Sequence, residues 1–376
     1  MITPQSIKEL KDKLDIADVI GRDIKLKRSG ANYSGLCPFH DEKSGSFTIT
    51  QSKQMYKCFG CGESGDAIKF VQKYHRKDFT EAVEMLASSY NISLEYAKDD
   101  EASKQKRAAD KDAKQLMSEA VEFTLKSYQQ TLLKASKDSD VWQYLTKRGY
   151  SYNTVIEWGL GYAPLEWKHI TTPLINNKLY QPAEAAGLIK TKDGNTYDVY
   201  RNRIIIPIHD ADGCLIGLAG RWLPTGNKQE DKDQAKYINP KESLLYQKSR
   251  VLFGLYQALN AKAFKRIDRV APPASMTEGY FDVISLHEHF VYGAIAGCGT
   301  SITKDQLKLI KKYTDHLMIL TDGDKAGLNA ANKLIDLCLI ENLRTDIIQL
   351  PDGKDPDDYA KEYHQFLEPK DGAFTN

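Results

Sequence analysis

The sequence predicts a multidomain chain that joins α/β and α+β parts, and three observations carry that prediction. Near the N-terminus, Cys37-Pro38-Phe39-His40 and Cys58-Phe59-Gly60-Cys61 are spaced to close around one metal ion. In the middle, strand-like runs alternate with Gly and Asp-Gly turns in a stretch rich in Lys and Arg. Toward the C-terminus, three apolar runs are each followed by an acidic cluster, with helical patterns between them in βαβαβ order. At 376 residues there is length for two or three domains with cores of their own.

The boundaries follow from composition. Residues 1–96 form the metal-bearing domain, 97–114 a charged linker, 115–270 a basic α+β subdomain with a mixed sheet, 271–365 an α/β domain with a parallel sheet, and 366–376 a tail. Residues 98–114 hold 11 charged side chains and no large apolar one, the composition of a solvated or loosely helical tether. The net charge of +1 hides an asymmetry: residues 141–270 carry 19 Lys/Arg against 12 Asp/Glu, and residues 271–376 carry 10 against 17. A basic block beside an acidic block fits one surface for a polyanion and another for divalent metal. No run approaches the roughly 20 apolar residues of a membrane span, and Met1-Ile2-Thr3-Pro4-Gln5 is no secretory signal, so a cytoplasmic protein with no membrane partner is expected.

In the first domain, Cys37, His40, Cys58 and Cys61 supply four ligands of the kind tetrahedral Zn²⁺ takes, and the alternating segment Phe47 to Tyr56 forms the hairpin that joins the pairs. With all four positions filled by protein, one structural zinc is expected, with no seat for a reacting water. Lys43, Lys53, Lys57 and the aromatics Phe39, Phe47, Tyr56 and Phe59 offer charge and stacking faces for single-stranded DNA, although Phe39 and Phe59 are expected in the small core around the metal. The remaining cysteines, Cys214, Cys298 and Cys338, are isolated and read as buried.

At the other end, Leu317 to Leu320 reads as a buried strand and Ala326 to Leu343 as a helix, so Asp322 and Asp324 sit where one gives way to the other. Glu278-Gly279-Tyr280-Phe281-Asp282 and Lys354-Asp355-Pro356-Asp357-Asp358 occupy similar positions after Val270–Thr277 and Thr345–Leu350. In an open parallel sheet ligands bind beyond the carboxyl ends of the strands, and paired carboxylates there suit Mg²⁺. Pro272 and Pro273 cannot donate to a sheet ladder, so the strand before Glu278 either begins at Ala274 or has altered geometry.

These residues resemble the DnaG-type primase family. Cys37-Pro38-Phe39-His40-Asp41-Glu42-Lys43, Ser46-Phe47, Tyr56-Lys57-Cys58-Phe59-Gly60-Cys61-Gly62 and Gly65-Asp66-Ala67-Ile68 are similar to its zinc-ribbon domain, with Ser44-Gly45 in place of the more usual Thr-Pro. Glu278 followed by Asp322-Gly323-Asp324 is similar to the TOPRIM domain that the family shares with topoisomerases and some nucleases. The resemblance implies catalytic roles for Glu278, Asp322 and Asp324, two or three Mg²⁺ or Mn²⁺ ions held by these with Asp282, Asp355 and Asp357, and a basic ridge of Arg148, Arg203, Arg221, Lys236, Lys248 and Asn239 that contacts nucleotide and template. It implies RNA primer synthesis on single-stranded DNA from ribonucleoside triphosphates. Family members continue into a domain that docks on the replicative helicase, so such a partner is expected to act through a region absent from this chain, which ends at Asn376.

Two other readings stand beside that one. The same carboxylates would serve a TOPRIM nuclease acting on single strands, whereas a topoisomerase needs a large gate domain for which 376 residues leave no room. A non-catalytic single-strand-binding replication protein is the third. The sequence holds no Gly-x₄-Gly-Lys-Ser/Thr pattern, so no P-loop motor is expected.

Overall fold

The computed structural model describes residues 2–40, 42, 44–75, 77–96, 101–266, 270–299, 302–321, 325–350 and 354–367. The chain divides into two compact units, Met1–Arg107 with Arg266–Val270, and Ala108–Lys265 with Ala271–Asn376.

In the first unit, five antiparallel strands (Lys27–Ser29, Asn32–Gly35, Phe47–Thr50, Met55–Cys58 and Ser64–Gly65) pair in chain order. Alternation sets their faces. Phe47, Ile49, Tyr56 and Cys58 point inward, where they meet Leu10, Ile16, Ile20, Phe70 and Leu86 from flanking helices. Two of those helices, Ala67–Tyr74 and Phe79–Ser89, start on carboxylates: Asp66 accepts from Lys69 N–H, and Asp78 forms a reciprocal capping box with Glu81.

Of the charged segment 97–114 proposed as a linker, residues 101–114 are the first part of one 34-residue helix, Glu101–Lys134, and 97–100 lie outside the described residues. Residues 105–109 of that helix are exposed, and Arg107 lies over the Tyr96 ring at 4.0 Å.

The second unit holds two larger sheets. Strands Gly161–Ala163, Arg203–His209, Leu215–Trp222 and Tyr237–Ile238 form an antiparallel sheet. Its central hairpin turns at Asp212-Gly213, where Asp210 Oδ1 accepts the N–H groups of Asp212 and Cys214. That turn leaves Cys214 exposed, contrary to the buried position expected of it, while Cys298 and Cys338 are buried. The run Ile204 to Ile208 is apolar throughout because both faces are covered. Ile204, Ile206 and Ile208 share a core with Val283, Ile284 and Leu320, whereas Ile205 packs with Tyr128 and Leu174.

The second sheet has the order Leu252–Phe253, Ala294–Gly297, Ala274–Thr277, His316–Thr321, Arg344–Gln349. Its first strand is antiparallel and the others are parallel. The strand before Glu278 thus begins at Ala274, directly after the two prolines, yet it occupies the centre of the sheet. All four of its residues are buried. Leu317 and Ile319 face a core with Leu307, Ile310 and Leu334, and Leu320 faces the opposite one.

His287, on the helix Tyr280–Glu288, is buried with its Nε2 2.9 Å from the Ala294 carbonyl and its ring edge-on to Trp158. Burial, which outweighs that hydrogen bond, pulls its imidazole from 6.5 down to about 4. A depressed folded value means that the unfolded chain takes up the proton first. Stability is therefore full above pH 6.5 and falls as pH drops toward 4, by roughly 3 kcal/mol in all. Urea unfolding across that range is expected to show this slope, and His287→Gln is expected to flatten it.

Candidate functional site

Parallel register brings the acidic clusters to one edge of the second sheet. Met276 pairs with Ile319, so Glu278, two residues on, stands level with Thr321, the residue before Asp322. Thr321 in turn pairs with Gln349, and the chain beyond that strand leads to Asp355. The chain leaves Ala274–Thr277 for a strand on one side and leaves its neighbour His316–Thr321 for a strand on the other, which makes the edge between them a topological switch point. Asp322 and Asp324 themselves, like Lys43 of the first unit, lie outside the described residues.

Glu278 is exposed, in a bend between its strand and the helix Tyr280–Glu288. Asp282, half-buried in the first turn of that helix, folds back over the bend. A Cβ on Gly279 would lie 2.7 Å from Asp282 Oδ2, so a side chain there would displace the carboxylate. Hard oxygen donors on adjacent strand ends suit a hard divalent cation. Among the described residues, however, Glu278, Asp282 and Asp355 do not close into a three-carboxylate cluster of their own.

The third acidic cluster also makes structural bonds of its own. Asp355 Oδ1 accepts Asp358 N–H at 2.7 Å, the capping bond of the helix Pro356–Leu367. Asp357, expected to hold magnesium, is 4% exposed, and its Oδ2 takes Lys361 Nζ at 2.7 Å and Arg148 Nη1 at 3.4 Å. Those two cations answer Oδ2 and tie Asp357 to Arg148, while its buried Oδ1 has no hydrogen-bond partner among the described residues. The guanidinium, further held by the Tyr144 hydroxyl at 2.9 Å, lies over the Phe281 ring.

The basic ridge divides in the same way. Arg203, expected at a phosphate, is turned inward at 2% exposure, and its Nη1 donates to the carbonyls of Gly220 and Ala235. Burial pulls its guanidinium down to about 10. Through that nitrogen it ties the 235 segment to the sheet. Arg221 contrasts with it. Buried over the Tyr237 ring at 5.0 Å, it keeps Nε and Nη1 without a hydrogen-bond partner among the described residues, an arrangement that an anion would complete.

Tyr237 lies within electrostatic reach of both charge sets. Burial pushes its hydroxyl up to about 12, with Arg221 and Arg148 drawing it down and Asp282 raising it. Asn239 accepts the Tyr280 hydroxyl at 2.8 Å and packs so closely on Gly299 that a Cβ there would meet its Nδ2 at 2.2 Å. Lys236 is exposed and Lys248 half-buried.

One feature escaped the sequence reading. Arg201 Cζ lies 3.6 Å above the Trp167 ring, and Tyr197 meets that ring edge-on. Trp167 is 60% exposed and Leu165 62%. The sequence signal was a Trp beside Lys168 in a loop, whose partner Arg201 comes from a distant segment.

In the first unit, ligand atoms of Cys37, His40, Cys58 and Cys61 all lie within 4.8 Å of one another. Cys37 Sγ is 3.9 Å from Cys61 Sγ, and Cys58 Sγ is 3.7 Å from His40 Nδ1. A tetrahedron with zinc–sulfur bonds of about 2.3 Å has edges near 3.8 Å, so the donor set fits zinc. Burial raises the Cys58 thiol, but its hydrogen bond with Ser46 Oγ and those from the Cys61 and Gly60 N–H groups outweigh it and bring it to about 7. Of the two aromatics expected around the metal, Phe39 packs in the core and Phe59 does not. Phe47 and Tyr56 are fully buried and Phe39 packs partly against them, whereas Phe59 is 71% exposed with Lys57 Nζ over its ring.

Such a chain, with a zinc-ribbon unit and an acidic sheet edge beside buried and exposed cations, is of the TOPRIM class. Three family descriptions match it in order: CHC2 zinc finger over residues 2–102, DNA primase catalytic core, N-terminal domain over 128–259, and Toprim-like over 275–360. The DNA primase of Clostridium acetobutylicum is 38% identical over 364 residues, and that of Escherichia coli K12 is 35% identical over 362. They cover 96% and 95% of this chain, which spans 57% and 59% of their lengths. The Aquifex aeolicus primase structure of zinc-binding and RNA polymerase domains matches with a TM-score of 0.59 at 32% identity, over 96% of this chain and 83% of that one. A DnaG primase catalytic domain bound to single-stranded DNA matches with a TM-score of 0.59 at 31% identity, over 66% of this chain and 78% of that one. The chain belongs to the DnaG-type primase family. Among its described residues no helix is long and apolar enough to cross a membrane.

The assignment of Asp357 is open to direct measurement. Asp357→Asn is expected to cost roughly 1–3 kcal/mol in urea unfolding with EDTA present, less than a fully buried pair because both cations are partly exposed. A raised midpoint, the sign of relieved carboxylate repulsion, would return Asp357 to the metal ligands.

Proposed function

We propose that this chain synthesises short RNA primers on single-stranded DNA by nucleotidyl transfer. The observation that carries the reading is the register that sets Glu278, the Asp322-Gly323-Asp324 segment and Asp355 after three adjacent strands, in the unit that also holds the unpartnered Arg221. Glu278, Asp282, Asp322 and Asp324, with the second oxygen of Asp355, hold two or three divalent ions, Mg²⁺ or Mn²⁺. Bound there, the ions would stabilise the attacking and leaving oxygens of an in-line displacement.

The protein's own groups do the positioning. Glu278, exposed and on a short bend, orients the 3′-hydroxyl and accepts its proton. Arg221 and Lys236, with Lys248 and Asn239, neutralise and orient the triphosphate and the template phosphates. Arg148, pinned by Asp357, presents its guanidinium in one fixed orientation. Trp167, backed by Arg201, gives a template base a face to stack on. Arg203, whose Nη1 donates to the Gly220 and Ala235 carbonyls, braces the segment that carries Lys236.

The test is labelled ribonucleotide incorporation on a panel of short single-stranded templates. Asp322→Ala is expected to abolish product while leaving the unfolding midpoint unchanged, and primer yield near that of the parent would discard the metal assignment. Shortening of end-labelled template with Mg²⁺ and no nucleotides would indicate a nuclease instead. Trp167→Ala is expected to weaken single-strand binding about 5- to 150-fold, the loss of one stacked base. Unaltered affinity in a fluorescence-anisotropy titration would remove Trp167 from the template path.

A further inference from the structure

We infer that Glu42 is the positioning residue of the zinc site: with Ser46 it forms a strut that joins the two ligand pairs and fixes His40 to bind metal through Nδ1. Glu42 is not a ligand itself. Its Oε1 accepts two backbone N–H groups, Cys37 at 2.7 Å and Ser46 at 2.9 Å. Its Oε2 takes the Ser46 hydroxyl and stands 3.2 Å from His40 Nε2. The Ser46 oxygen is in turn 3.1 Å from Cys58 Sγ. One carboxylate therefore touches the backbone of the first ligand and the ring of the second, and it holds Ser46, whose carbonyl accepts Phe59 N–H at 2.9 Å between the second pair of ligands.

The imidazole orientation follows from the same contacts. His40 Nε2, facing a carboxylate, carries the proton and donates it. Nδ1, 3.7 Å from Cys58 Sγ, is left as the lone-pair nitrogen on the metal side. Gly60 closes the arrangement from behind: a Cβ there would meet His40 Nε2 at 2.6 Å and Ser46 Oγ at 2.8 Å. The His40 and Glu42 side chains are 8% and 10% exposed, so water competes poorly for these bonds. Without the strut the four ligands remain, but the ring rotates and the two pairs lose their shared support. The consequence falls on metal retention.

The experiment uses the full chain. Zinc affinity and release rate are measured by chelator competition for the parent, Glu42→Gln and Ser46→Ala, and zinc content is measured after saturation. Imidazole nitrogen NMR of His40 in the zinc-loaded protein reports which nitrogen is bound. One zinc per parent chain establishes the site independently of the positioning role. Glu42→Gln keeps an acceptor for the two N–H groups but presents an amide to His40, and it is expected to bind zinc 10- to 100-fold more weakly, mainly through faster release. Ser46→Ala is expected to lose less, and both variants are expected to carry one zinc at saturation. Affinity of Glu42→Gln within twofold of the parent, or a parent spectrum showing Nε2 bound, would overturn the inference. So would a Glu42→Gln chain that takes up no zinc at saturation, since Glu42 would then belong to the ligand set.

Discussion

Parallel pairing of Ala274–Thr277 with His316–Thr321, and of that strand with Arg344–Gln349, is the constraint from which the rest of the second unit follows. Because all three strands run the same way, their carboxyl ends share an edge. Residues far apart in the chain thereby become neighbours. The pairing is held by burial on both faces: Leu317 and Ile319 on one side, Leu320 with Val283 and Ile284 on the other. A slip of one residue would exchange those faces, so the packing of the core also fixes the height at which Glu278 emerges. Site geometry is thus a consequence of apolar alternation several residues upstream.

Charge at this edge is managed by giving some groups structural work. Asp357 and Arg148 pair, Arg203 gives one nitrogen to carbonyls, and Asp355 gives one oxygen to a helix cap. What stays available is smaller than the sum of Asp, Glu, Lys and Arg in the region, and more sharply directed. Arg221 is the informative member, since a buried guanidinium with two nitrogens unpartnered among the described residues is costly unless a further group completes it. In the first unit Glu42 is used in the opposite way: its two oxygens take four contacts around the ligand set.

The elements were legible where local pattern decides them. The ligand pairs, the Asp212-Gly213 turn and the strand starting at Ala274 after two prolines can be read from neighbouring residues, because turn chemistry and ladder donors are local matters. The destinations of long charged side chains were not. Arg203 is satisfied by carbonyls 17 and 32 positions away, and Asp357 meets an arginine 209 positions away, partners that no periodicity announces. Phe59 was misassigned although its signal was present: with Tyr56 and Cys58 inward on an alternating strand, Lys57 and Phe59 belong outside.

On the proposed function, the carboxyl edge of the parallel sheet grips divalent ions. Paramagnetic broadening of backbone NMR signals during a Mn²⁺ titration of the zinc-loaded chain tests it most directly. Selective loss of the signals of Gly279, Tyr280 and Lys325 at low Mn²⁺, with Tyr292 and Gly293 at the opposite end of the strands unaffected, is the expected result. Broadening spread evenly over exposed acidic residues, or centred away from Glu278, would contradict it.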